Sequence, residues 1–340
     1  MRTWWIVGGA ALVAGGVALA APQSPPAGPH ALLRTIGGFS AADLTRLDSG
    51  VAIARALDTE RREVAIVGAV RVQAPRDRLL ARYRDITNLQ SSDIVLQIGR
   101  ISPEPRPEDF QALNFEAYDL DTISKCEAGD CGVRLSTAQL ASFKREVNWQ
   151  APDARQQAST LWRRLLSDYA AGYLARGALA DYRNKAEPLN VADEFAVIFN
   201  ESGPLAAAAP EFLAYLQQFP RAQLPNVENI MYWSKDDFGL RPVTSITHLA
   251  LSAPPPGSSR PAAIGTRQIY ATHYFDAALG VTLAFDDGAS GFYMVTVNRA
   301  RTRSLSSFSR AIVRGIVERR SRNALEQMLR STKAALERSR

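Results

Sequence analysis

Only two cysteines and three histidines occur in this chain of 340 residues, and that scarcity removes several chemistries at once. Cys126 and Cys131 form a lone C-x4-C pair, without the C-x-x-C spacing of thiol oxidoreductases and without a second pair to complete a four-ligand zinc site. The chain has no Walker loop, no G-x-G-x-x-G and no H-E-x-x-H, so nucleotide binding and zinc-peptidase chemistry have no warrant. It also lacks a G-x-S-x-G elbow. Ser202 in Glu-Ser-Gly-Pro and Ser290 in Gly-Ala-Ser-Gly read as turn residues, and a serine hydrolase is poorly supported. The paired carboxylates Asp236-Asp237 and Asp286-Asp287 fall near glycine at expected turns, where solvated acids belong, and they make no glycosidase signature. No internal repeat is evident. Neither a metal nor a cofactor is expected.

What the chain does have is apolar mass, 46% of its residues, enough for at least one full core. Its one long apolar run covers residues 4–19, after Arg2 and up to the small-residue pattern Ala18-Leu19-Ala20. That run reads as a cleavable signal peptide over residues 1–20, with an inner-membrane anchor over residues 4–20 as the alternative. Residues 21–40, with Pro25, Pro26 and Pro29, read as a disordered linker. The expected location is therefore periplasmic or secreted. In an oxidising compartment Cys126 and Cys131 are expected to close a small loop as a disulfide.

Positive charge is uneven. The formal charge of +6 is exceeded between Arg299 and Arg340, where twelve Lys or Arg face Glu318, Glu326 and Glu337, a local +9 that leaves −3 for the remainder. An exported protein meets little nucleic acid, and nothing here resembles a base-reading module, so no nucleic-acid partner is expected. Anionic lipid headgroups are the better candidate for the arginines, against the plainer alternative of a solvated helix face.

The segment 60–100 reads as strand and helix: EVAIVGAVRV alternates as a strand, Pro75 opens a helix carrying Leu79, Leu80 and Tyr83, and SDIVLQIG supplies a second strand. Residues 41–57 look weakly helical. A helix-rich insertion spans 101–225 and contains the cysteine loop, with its clearest apolar faces at Leu161, Trp162, Leu165, Leu166, Tyr169 and Tyr173 and then at PEFLAYLQQF. From 227 to 299 five strand candidates alternate with turn residues, which an antiparallel meander accounts for. Residues 304–338 read as a basic amphipathic helix, its apolar stripe set by Leu305, Phe308, Ile312 and Ile316 and continued by Leu325, Met328, Leu329 and Leu336.

The block REVAIVGAVRVQAPRDRLLARYRDI, and the run from NIMYWSKDDFG through YATHYFDAALGVTLAF to GFYMVTVNRARTRSLSSFSRAIVRGIV, resemble the START-like, or SRPBCC, superfamily of Bet v 1-like helix-grip domains. The resemblance implies an α+β fold in which a curved antiparallel sheet packs on a long C-terminal helix, with the domain covering residues 41–340. It also implies a cavity between sheet and helix that binds a hydrophobic small molecule such as a lipid or isoprenoid. The long insertion departs from the pattern.

Candidate residues follow from strand parity. His248 shares a face with Ile246, and His273 with Ile269 and Phe275, so each is a candidate polar group in an apolar cavity, either bonding a ligand hydroxyl or serving as a base; a satisfied strand histidine is the plain alternative. Trp233, Tyr270, Phe285 and Tyr293 from the meander, with Phe308 and Ile312 from the helix, complete the expected ligand-binding set. On the last strand both faces are apolar, Tyr293, Val295 and Val297 against Phe292 and Met294, which predicts burial on two sides.

Overall fold

The computed structural model describes residues 28–86, 94–127, 129–182, 188–255, 258–303 and 310–338. The expected signal peptide, the linker as far as residue 27, Leu305 and Phe308 lie outside the described residues, as does the side chain of Ile312.

Two short helices, α1 (Pro29–Gly37) and α2 (Ala41–Asp48), lead into strands β1 (Ile53–Leu57) and β2 (Glu63–Val72), then α3 (Arg76–Arg84) and β3 (Val95–Ile101). The insertion follows: α4 (Ala117–Ser124), α5 (Thr137–Glu146), α6 (Ala154–Arg176), the short strands β4 (Asp181–Tyr182) and β5 (Leu189–Asn190), α7 (Val191–Asn200), α8 (Gly203–Ala208) and α9 (Pro210–Gln218). The meander is β6 (Val227–Asp236), β7 (Val243–Ser252), β8 (Ala262–Ala271), β9 (Ala277–Asp286) and β10 (Phe292–Arg301), and α10 (Arg310–Arg338) comes last. Eight strands form one antiparallel sheet in the order β1-β2-β10-β9-β8-β7-β6-β3.

Alternate residues of a strand point to opposite faces, and here both faces are apolar enough to be covered. Val67 of β2, Tyr293, Val295 and Val297 of β10, and Leu279, Val281, Leu283 and Phe285 of β9 join a core with α1, α2 and α4–α9. Val64, Ile66 and Val70 of β2, Phe292 and Met294 of β10 and Ile264 of β8 join a second core with Leu79 and Leu80 of α3 and Leu325, Leu329 and Leu336 of α10. The chain is thus a three-layer α+β structure with the sheet in the middle. The two-sided burial expected of the last strand is found.

Two local expectations give way. Residues 29–37 form a helix where the proline content suggested linker: Pro29 fills its first turn, and Leu33, Ile36 and Phe39 are buried. Burying those three side chains is worth roughly 1.5–3 kcal/mol each, enough to order a short segment. Residues 53–57 form an edge strand, β1, instead of the end of a weak helix, with Arg55 stacked on the Phe39 ring. Ser40 and Asp43 build a reciprocal cap that fixes the start of α2, just after α1.

The seat of α10 decides where a site can form. Leu325 and Leu329 sit over Gly68 of β2, where an added Cβ would stand 2.8 Å from Leu329 Cδ1, so glycine allows the helix to approach. α10 therefore packs on β1 and β2 rather than over the middle of the meander. Ile316, read from the sequence as part of the apolar stripe, is 38% exposed.

Candidate functional site

Because α10 lies to one side, the central strands of its face are incompletely covered. α3 covers part of β7 and β8; between the sheet and the first half of α10 lies an open cleft of about 270 Å³. Val64 and Ile66 of β2, Ala278 and Ala300 of β9 and β10, Phe275 of the β8–β9 turn and Val317 of α10 form its apolar walls. Thr247, Thr266, Gln268 and Asn298 make a polar band across the floor, with Ser321 facing it from α10. Asn298 is exposed and marks the opening. Gly280 sits inside the band: an added Cβ would come 2.5 Å from Thr266 Oγ1 and 2.8 Å from Asn298 Oδ1, so any side chain there would crowd the floor.

Two of the four residues of the band are internally satisfied. Thr266 Oγ1 donates to the Gly280 carbonyl at 3.4 Å. Burial pushes the Tyr232 hydroxyl up, and its hydrogen bond with Thr247 opposes the shift. Gln268 differs: its Oε1 is buried and accepts no hydrogen bond from any described residue.

The residues singled out from the sequence lie elsewhere. His248, Trp233, Tyr270, Phe285 and Tyr293 point to the opposite face, into the core shared with the insertion, and none lines the cleft. His248 is fully buried; its Nε2 donates to Asn229 Oδ1 at 2.8 Å, and its Nδ1 accepts from the Tyr173 hydroxyl at 2.8 Å. Asn229 Oδ1 can only accept, which fixes that tautomer. Burial, helped by the Arg267 charge, pushes the His248 pKa down to about 3, so the ring is a neutral tie between α6 and the sheet. Trp233 Nε1 donates to the Asp109 carbonyl at 2.7 Å, Tyr270 to the Arg134 carbonyl at 3.3 Å, and Tyr293 to Asp48. His273 sits at the β8–β9 turn with Nε2 3.1 Å from Asp119 Oδ1 of α4. His30, placed in the linker by sequence, reaches Asp48 at 2.8 Å.

Two features depart from what the sequence suggested. One is an ion cluster where the end of the sheet meets the insertion: Arg301 binds Glu194 and Glu60, Arg299 binds Glu63, Arg62 bonds Glu194 at 2.7 Å, and Arg134 bonds Asp276 at 2.8 Å. The other is Asp236, expected as a solvated turn acid but found buried as the last residue of β6 and accepting from Ser234 at 2.7 Å. Burial pushes its pKa up to about 6, against the lowering effect of the Ser234 hydroxyl. Asp287 is also buried at its side chain; there the Arg71 guanidinium and the Ala289 and Gly291 amides outweigh burial and hold it down.

Among the described residues no three His, Cys, Asp or Glu side chains gather as metal ligands would, and no helix is long and apolar enough to cross a membrane. Cys126 and Cys131 form a disulfide, which is compatible with an exported protein. No family model, no curated protein and no solved structure matches this chain.

Proposed function

We propose that the chain is an exported binding protein of helix-grip type that holds a compact hydrophobic molecule between its sheet and α10. The observation that carries this reading is the apolar-walled cleft on the α10 face, built by side chains from β2, the meander and the helix. An opening strand, a helix, a meander and a closing helix on one face of a single sheet are what the START-like resemblance implies. A volume of about 270 Å³ lies at the small end for ligand pockets and suits one acyl chain or a short isoprenoid better than a two-chain lipid. A catalytic role for His248 gains nothing from its geometry, since both ring nitrogens are engaged and the ring is fully buried. The test is organic extraction of natively purified protein followed by mass spectrometry. A bound compound is expected from the wild type and not from Ala300→Phe, which fills the cleft from the sheet; a clean extract from both would sink the reading.

The partner surface that fits such a cargo is an anionic bilayer. Arg319, Arg320 and Arg322 are exposed on α10, and at the same end of the sheet Phe238 and Leu240 are 39% and 64% exposed on the β6–β7 hairpin. Replacing the three arginines by Gln is expected to weaken sedimentation with phosphatidylglycerol vesicles roughly hundredfold, at about one kcal/mol per headgroup contact. Unchanged vesicle binding would reduce them to a solvated helix face.

A further inference from the structure

Resting on the cleft reading above, we propose that the cleft floor holds a hydroxyl subsite, formed over Gly280 by Thr266 on one side and Asn298 on the other. The three residues are direct cross-strand partners on β8, β9 and β10, and all line the cleft, so their side-chain positions stand in one row on its floor. The middle position carries no side chain, which leaves a notch. Two oxygens flank it, since a Cβ there would meet Thr266 Oγ1 at 2.5 Å and Asn298 Oδ1 at 2.8 Å. The row is open to the cleft: Asn298 is exposed, and Thr266 and Gly280 are partly exposed. A ligand carbon seated low in the notch is pressed against both oxygens, whereas a hydroxyl tolerates the same approach, because O–H···O contacts run shorter than carbon–oxygen contacts. That hydroxyl donates to Asn298 Oδ1 and accepts from Thr266 Oγ1, whose bond to the Gly280 carbonyl is long at 3.4 Å. A carboxylate has no proton for Asn298 and meets no free cation, since Arg299, the one basic residue among those described as lining the cleft, is bound to Glu63. The ligand class is therefore an alcohol whose compact apolar body rests against Val64, Ile66 and Val317.

The matched pair that tests this is n-octanol and its isomer methyl heptyl ether, each used to displace a phenylnaphthylamine fluorophore from the protein. The wild type is expected to bind the alcohol about tenfold tighter than the ether. Asn298→Leu and Thr266→Val keep the side-chain shape and remove one polar partner each, and each is expected to cut the preference to about threefold or less by weakening the alcohol while the fluorophore binds as before. The two substitutions are independent, so one folded variant suffices. A wild type without preference, or a folded variant that keeps more than that, overturns the subsite while leaving the cleft as a binding site. A fluorophore that never binds overturns both readings.

Discussion

Glu194→Ala is expected to lower unfolding stability by about 3 kcal/mol in urea titration at neutral pH, one of the largest effects of any single polar substitution in the chain. Glu194, on α7, accepts from Arg301 and from Arg62, and its side chain is nearly buried, as is that of Arg301. Removing the carboxylate leaves two guanidinium groups facing a low-dielectric region with only Glu60, Glu63 and Asp276 to share. Glu194→Gln keeps an acceptor and should lose less. Burial raises the Glu194 pKa, but the hydrogen bonds and charges of Arg301 and Arg62 outweigh it and the net shift is downward. The sign follows: the stabilisation is present above the ordinary glutamate pKa and is lost as pH falls through the lowered folded value. An Ala variant as stable as the wild type would mean that the cluster does not tie the insertion to the sheet.

Asp236→Asn is expected to act in the opposite direction. The folded pKa of Asp236 is raised to about 6, so between pH 4 and 6 the native state holds a proton that the unfolded chain has released. Wild-type stability should therefore decline across that interval, by about 2–3 kcal/mol from this group alone. Asparagine can still accept from Ser234 and carries no charge to bury, so the variant should be more stable than the wild type at pH 7 and equal to it near pH 4. The difference between the two proteins isolates this group from the carboxylates that titrate lower. A difference independent of pH would show that Asp236 is solvated, as its place beside a turn suggests.

The meander was legible because both faces of its strands are apolar and its breaks carry turn residues, so β6 to β10 stand within a few residues of the expected segments. Composition misled at α1, where prolines at residues 25, 26 and 29 outweighed the buried Leu33 and Ile36. Choosing aromatic and histidine residues by parity selected one face consistently, yet that face is the core with the insertion. Nothing in an alternating strand says which of two apolar faces receives a helix that arrives later in the chain. A usable signal was present in the other register: Ala278, Gly280 and Thr282 on β9, Thr266 and Gln268 on β8, and Thr296, Asn298 and Ala300 on β10 are too small or too polar to fill a core. A face lined that way leaves space. The ion cluster was illegible for a different reason, since Glu60, Glu194, Asp276 and Arg301 are far apart in sequence and meet only because α7 is folded back on the sheet end.

The central claim is that the cleft between α10 and the sheet takes an apolar molecule, and one titration tests it most directly. With the phenylnaphthylamine fluorophore, the wild type is expected to saturate at a single site per chain, and Ala300→Phe to bind at least about tenfold more weakly while its near-UV circular dichroism is unchanged. Superimposable titration curves for the two folded proteins would contradict the claim.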